Sequence, residues 1–325
     1  MDMRSYMTRK LIYVLITLFA IIAFNFFLFR VMPGDPVRIL VPKGVTPEVR
    51  EMIMAKFYLD HPLWEQFIHY LVQVFTLDFG FTVSVPPKGV PITDMLGPPI
   101  MNTVLLLGFG TILATWWGIW LGRAAAWRRG KLADTVGMAF SLTFYSMPTF
   151  LFALIMVMVF FGQLHWFPRG DPYSMNYQNE DLLGKIWDRA YHLILPVLAY
   201  TIEMMAQFAL IMRSSLTDVL TEDYIVTARA KGLSDKQILK THAMRNAMLP
   251  VVTVTAISFG WAIGGDIMVE MVFNYKGIGL LTWDAVLARD FPVLQALFLI
   301  MAVAVLIGNF IADIVYMYLD PRVHI

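Results

Sequence analysis

Long uncharged apolar runs alternate along this chain with shorter segments where the charges collect. Six runs reach the length of about 20 residues that a bilayer-crossing helix needs. They are Leu11 to Phe29, Ile100 to Gly122, Thr135 to Phe161, Leu193 to Met212, Leu249 to Val272, and Val293 to about Leu319. The first three carry no charge; the fourth holds Glu203, the fifth Asp266 and Glu270, and the sixth Asp313 near its far end. Pro148 predicts a kink in the third run. Gly264-Gly265 predicts an unwound or closely packed turn in the fifth. A basic leader precedes the first run without a small-residue cleavage site, and further spans follow it, so it is expected to remain as a helix.

The basic residues orient these spans. Arg4, Arg9 and Lys10 precede the first run, and Arg123, Arg128, Arg129 and Lys131 follow the second. Arg213, Arg229, Lys231, Lys236, Lys240 and Arg245 follow the fourth, and Arg322 lies in the tail. Placing these segments on the cytoplasmic side gives an all-α membrane protein with six transmembrane helices, N-in and C-in. Residues 1–32 then form the cytoplasmic N-terminus and first span, 33–99 a long extracytoplasmic region, and 100–325 the core with spans two to six. The outer segment from Pro33 to Pro99 is too long for a bare connector. Pro33-Gly34-Asp35-Pro36 predicts a stiff turn, and Pro62 to Phe75 an amphipathic helix with Leu63, Phe67, Tyr70, Leu71 and Val74 on one face. That helix either caps a pore or meets an external partner, or else lies on the membrane surface.

Between spans four and five, residues 213–250 read as a helical elbow. Lys231 falls in the last turn of a first short helix and Gly232 is a natural left-handed stop. Ser234 and Gln237 have capping-box spacing at the start of a second helix. Small residues at Ala228, Ala230 and Gly232 permit close approach of another surface, so the elbow is expected to dock a soluble partner.

Composition agrees. The chain is 58% hydrophobic with 15% charged residues, against roughly 25% charged in a soluble domain. Nine Trp and thirteen Tyr are available for interfacial belts. A net charge of +1 gives no field for nucleic acid. The absence of cysteine excludes disulfides and thiolate chemistry. No phosphate-binding G-x-x-x-x-G-K-[ST] loop, H-E-x-x-H or G-x-S-x-G motif occurs, and the six histidines form no i, i+4 pair, so neither a catalytic nor a metal site is expected. Ser214-Ser215 has no base at suitable spacing.

Acids inside a bilayer are costly and usually face a bundle interior or water. Asp266, with Gly264 and Gly265, is expected to line a translocation path; the competing reading is a buried acid bonded to a neighbouring hydroxyl or Trp. Glu203, beside Met204-Met205, either lines the path or holds helices together. Glu270 and Asp313 lie near span ends and are expected at the interface.

Several motifs in order resemble the permease subunits of ABC transporters, specifically the dipeptide/oligopeptide/nickel branch. The elbow carries Asp223, Tyr224, Thr227, Ala228, Arg229, Ala230, Lys231, Gly232 and Leu233, then His242-Ala243, Arg245-Asn246-Ala247 and Leu249-Pro250. Elsewhere stand Leu28-Phe29-Arg30, Leu77-Asp78-Phe79-Gly80, Val269-Glu270-Met271-Val272-Phe273, Ala288-Arg289-Asp290-Phe291-Pro292 and Leu319-Asp320-Pro321-Arg322-Val323. Val226-Thr227-Ala228 replaces the Glu-Ala-Ala of the wider superfamily. Lys276 stands where a Pro before Gly277 is common, and Asp266 where a small residue is common.

The resemblance implies one of two homologous permease subunits in a prokaryotic inner membrane. Two separate ATP-binding subunits, which would hold the ATP and magnesium, would receive the elbow through Asp223 to Leu233. An extracytoplasmic substrate-binding protein would deliver a di- or oligopeptide, an oligosaccharide or a nickel chelate. This chain itself would bind no cofactor and catalyse no reaction. The rival of another class is an ion-coupled secondary transporter acting alone through Glu203 and Asp266. The sequence shows neither the inverted repeat nor the matched pair of broken helices expected of it.

Overall fold

A computed structural model describes residues 3–30, 44–56 and 58–319. The turn expected at Pro33 to Pro36 and most of the Leu319 to Val323 motif lie outside them. Every named element is a helix, and the sole strand-like pairing among the described residues is an isolated bridge between Phe81 and Pro91.

α1 (Met3–Arg30) is the first apolar helix. Two outer helices follow, α2 (Pro47–Lys56) and α3 (Leu63–Thr76). α4 (Ile92–Trp127) and α7 (Leu182–Val219) are the long pillars, 36 and 38 residues, or about 54 and 57 Å at 1.5 Å per residue. They lie so close that a side chain on Gly122 would meet the Ala209 carbonyl at 2.4 Å, which is how small residues let membrane helices pack. Between the pillars run α5 (Leu132–Ser146) and α6 (Thr149–Met156), the latter continuing as a π-helical stretch, Val157–Gln163. After α7 come α8 (Asp223–Ala230), a single turn α9 (Asp235–Gln237), a π-helical stretch Ile238–Ala243, and α10 (Met244–Ala262). The short α11 (Ile267–Val272) and α12 (Ile278–Ala288) lead to the last apolar helix, α13 (Phe291–Leu319).

Among the described residues four helices, α1, α4, α7 and α13, are long and apolar enough to cross a membrane. The α5–α6 pair adds a fifth if taken as one span, but it is bent by 99°, far more than the kink expected at Pro148. The run expected as a single span from Leu249 to Val272 is likewise divided, at Gly264-Gly265, into α10 and α11. Gly265 has φ +79°, and a side chain there would strike the Gly279 backbone at 2.6 Å. At the break the backbone of α12 packs directly against Gly265, leaving no room for a side chain there.

Contacts join the ends expected to share a side. Lys10 pairs with Asp313. Arg213 grips Asp134 through two hydrogen bonds of 2.8 and 3.0 Å. At the opposite end α3 lies against α1, with Phe67 ringed by Phe19, Phe26 and Phe27, and with Asn25 donating to the Tyr70 hydroxyl at 2.8 Å. The face expected to be apolar does pack inward through Phe67, Tyr70, Leu71 and Val74, although Leu63 remains exposed. A second apolar stripe, Trp64, Ile68, Val72 and Phe75, is exposed on the same helix. A helix docked on a membrane span with an apolar outer stripe fits a position at the bilayer interface.

Candidate functional site

The elbow is assembled from local capping and one apolar seam. The Thr227 hydroxyl donates to the Asp223 carbonyl at 3.0 Å, and Gly232, at φ +80°, turns the chain out of α8. The capping box forms as the spacing predicts: the Gln237 amide donates to Ser234 Oγ at 3.4 Å, and the Ser234 amide donates to Gln237 Oε1 at 3.0 Å. Ile225, Ala228, Ile238, Ala243 and Ala247 are buried together with Phe208, Met212 and Leu216 of α7. Asn246 donates to the Tyr224 hydroxyl at 2.8 Å, tying α8 to the foot of α10. The elbow is thus fixed to both α7 and α10, so force applied to it reaches both helices.

Its outer surface is bare. Asp223, Val226, Thr227, Arg229, Ala230, Lys231 and Gly232 are exposed, and Leu233 is half-buried. Nothing lies within 4 Å of the position a Gly232 side chain would take. Ala228 is turned inward, 5% exposed; close approach by a partner runs through Ala230 and Gly232 rather than through it.

The two intramembrane acids singled out in the sequence each sit beside a break in a helix. Glu203 accepts a hydrogen bond from Thr149, the residue after the Pro148 break. Asp266 follows the Gly264-Gly265 break, and its Oδ1 accepts the Met268 and Val269 amides at 3.1 and 3.0 Å, capping α11. Both acids are half-buried, and each lies within electrostatic reach of the other and of Tyr200. Neither hydroxyl nor Trp bonding, the competing reading, accounts for Asp266; it holds a helix end and keeps its second oxygen without a partner among the described residues. The kink expected at Pro148 and the turn expected at Gly264-Gly265 are both full breaks in the structure, and each carries one of these acids.

Two further carboxylates hold the outer corner. Glu270, expected at the interface, is fully buried. Its Oε1 accepts from the Thr103 hydroxyl at 2.7 Å and its Oε2 from the Leu280 amide at 2.8 Å, while Thr103 Oγ1 accepts the Ile278 amide at 2.8 Å. Asp290, also fully buried, takes three consecutive amides on Oδ2, those of Val83, Ser84 and Val85, at 2.9, 2.6 and 2.9 Å. An Asp ahead of Phe291-Pro292 at a helix start is legible as an N-cap. Its Oδ1 does accept the Val293 amide at 3.5 Å; that its other oxygen also gathers a loop two hundred positions earlier has no local signal.

Helices of this length, two of them broken beside intramembrane acids, with an exposed elbow between them, have the build of a polytopic membrane protein. Comparison with known proteins makes the assignment particular. Residues 118–325 match the binding-protein-dependent transport system inner membrane component family, and residues 3–86 match the N-terminal region of such membrane components. The oligopeptide transport system permease protein AppB of Bacillus subtilis is 36% identical over 322 residues, 99% of each chain. The glutathione transport system permease protein GsiC of Escherichia coli K12 is 33% identical over 321 residues, again 99% of each. A solved structure of the MetNI methionine ABC transporter, inward facing, aligns with TM-score 0.56 at 14% identity, covering 70% of this chain and 98% of that one, and shows the shared fold. The chain belongs to the binding-protein-dependent transport system inner membrane component family and is a multi-pass inner-membrane permease of an ABC transporter.

Proposed function

We propose that the chain forms half of the translocation pore of an ATP-driven importer of di- or oligopeptides. Oligopeptide and glutathione are the cargoes in the names of two relatives aligned from end to end, and both are peptides. The observation that carries the reading is the elbow: its inner face is welded to α7 and α10, and its outer face is free. A pair of ATP-binding subunits closing on ATP would push two such elbows and rock the helices they belong to. A second, homologous permease completes the pore, and an extracytoplasmic binding protein delivers the peptide.

Six crossings fit this function, with the α5–α6 and α10–α11 pairs each counted as one broken span. The Lys10–Asp313 pair supports an even number, because it brings the first helix's start to the last helix's end. The basic segments around Arg128 and Arg213 share that side, which the distribution of Lys and Arg makes cytoplasmic. The half-buried acids Glu203 and Asp266, at the two breaks, then line the path.

The test is reconstitution of this permease with its partner subunits in proteoliposomes. The reading requires peptide uptake that depends on both ATP and the binding protein. Uptake by this chain alone, driven by an ion gradient, would overturn it in favour of a secondary transporter using Glu203 and Asp266.

A further inference from the structure

A cavity of about 990 Å³ opens between α4, α5 and the foot of α10, and nothing in the pore or the elbow's outer surface uses it. Its walls are of two kinds. Trp117, Trp120, Val136 and Phe140 give it an apolar side, with Trp127 at the end of α4. Arg123 and Arg128 on one flank and Lys236 and Lys240 on the other give it four positive charges and no acid. Among the described residues none of those four bases takes part in an ion pair. The nearest acids are engaged elsewhere: Asp134 is held by Arg213, and Asp235 faces Arg229.

Tryptophan marks the level where hydrocarbon gives way to headgroups. Basic residues just beyond that level see the anionic leaflet, at about one favourable kcal/mol per charge. A groove that is apolar below and basic above, at that one level, has the polarity profile of a phospholipid. We propose that it binds one anionic phospholipid of the cytoplasmic leaflet, with the headgroup phosphate between the Arg123/Arg128 and Lys236/Lys240 flanks and the acyl chains along Trp117, Val136 and Phe140. The inference rests on the orientation given under the proposed function. Arg123 lies in the last turns of α4 and Arg128 just past its end, and the two lysines belong to the elbow segment, so the bound headgroup ties the pillar to the elbow.

The experiment takes the chain purified with its partner subunits in mild detergent and supplies equimolar phosphatidylglycerol and phosphatidylcholine before native mass spectrometry. One phosphatidylglycerol should remain per copy, preferred by at least about fivefold. Arg123→Gln/Arg128→Gln should abolish that preference, while Arg129→Gln/Lys131→Gln, exposed at the same level outside the groove, should keep it. Equal retention of both lipids, or equal loss in both variants, overturns the site. Because the chain has no cysteine, Val136→Cys carrying a photo-reactive group gives a second readout. A lipid adduct supports the proposal; an adduct with another subunit shows that the groove is a protein interface and overturns it. The orientation fails separately: Arg128→Cys labelled from outside intact cells by an impermeant maleimide would refute it, and lipid retention in detergent does not depend on it.

Discussion

The outer corner and the cytoplasmic elbow are both places where a long helix stops, and they treat their polar groups in opposite ways. At the outer corner Glu270 and Asp290 are buried and turned onto backbone amides and a hydroxyl from α4, α12 and the outer loop. Buried charges are stable only with such partners, so this end is complete within the chain. At the elbow the polar groups serve local caps, and the remaining charges face outward around an empty Gly232. Under the proposed function that end is finished by another protein. The outer corner would then hold the permease together and the elbow would move it.

Substitutions should separate these two roles. Asp290→Ala strands three amides, two of them buried, each buried one worth about 1–3 kcal/mol, and should cost about 3–5 kcal/mol, read as loss of monodisperse protein after mild heating in detergent. An unchanged melting temperature would break the comparison at its outer end. Gly232→Trp fills the space where a partner must approach. The left-handed backbone at Gly232 makes it cost about 1–2 kcal/mol of stability, whereas it should lower uptake by about thirtyfold or more, the effect of losing a contact of about 2 kcal/mol at an interface. Gly232→Ala, with the same backbone cost and little bulk, separates the two effects. Normal uptake in Gly232→Trp would break the comparison at its inner end.

Smaller effects sharpen it. Asp266→Ala removes the cap of α11 and should cost about 1 kcal/mol, whereas Asp266→Asn keeps the acceptor. A transport defect in Asp266→Asn without a fall in melting temperature assigns the lost charge to the path rather than to the cap. Least of all, Lys56 pairs with Asp78 and holds its carboxyl below the usual range, chiefly through their hydrogen bond. A depressed carboxylate stabilises the fold above its unfolded value near 3.9, and that contribution fades as pH falls through its lower folded value. Both side chains are substantially exposed, so the contribution is under about 1 kcal/mol. Melting of wild type and Asp78→Asn should differ slightly above pH about 4 and converge as pH falls below it through the depressed folded value.

What the sequence disclosed follows from range. Gly232, Ser234 and Gln237 act over a few residues, and their turn and capping box formed where spacing put them. The apolar runs located the helices, since hydropathy depends on composition alone. The breaks were harder. Pro148 and Gly264-Gly265 were visible, but a bend of 99° depends on what packs against the chain there, and for Gly265 that is Gly279. Glu270 looked interfacial because it sits near the end of a run; only the folded chain brings Thr103 and Leu280 to it. Ala228 was grouped with its small neighbours, but the helical period turns it inward beside Ile225.

The elbow's two faces offer the most direct test. In the assembled transporter, Ala230→Cys and Ala228→Cys would be treated in membranes with a short cysteine-reactive photo-cross-linker, with the cysteine-free parent chain as control. If the elbow docks the ATP-binding subunits, Ala230→Cys gives an adduct with them and the inward Ala228→Cys gives none. An actively transporting complex in which Ala230→Cys forms no such adduct would contradict the account.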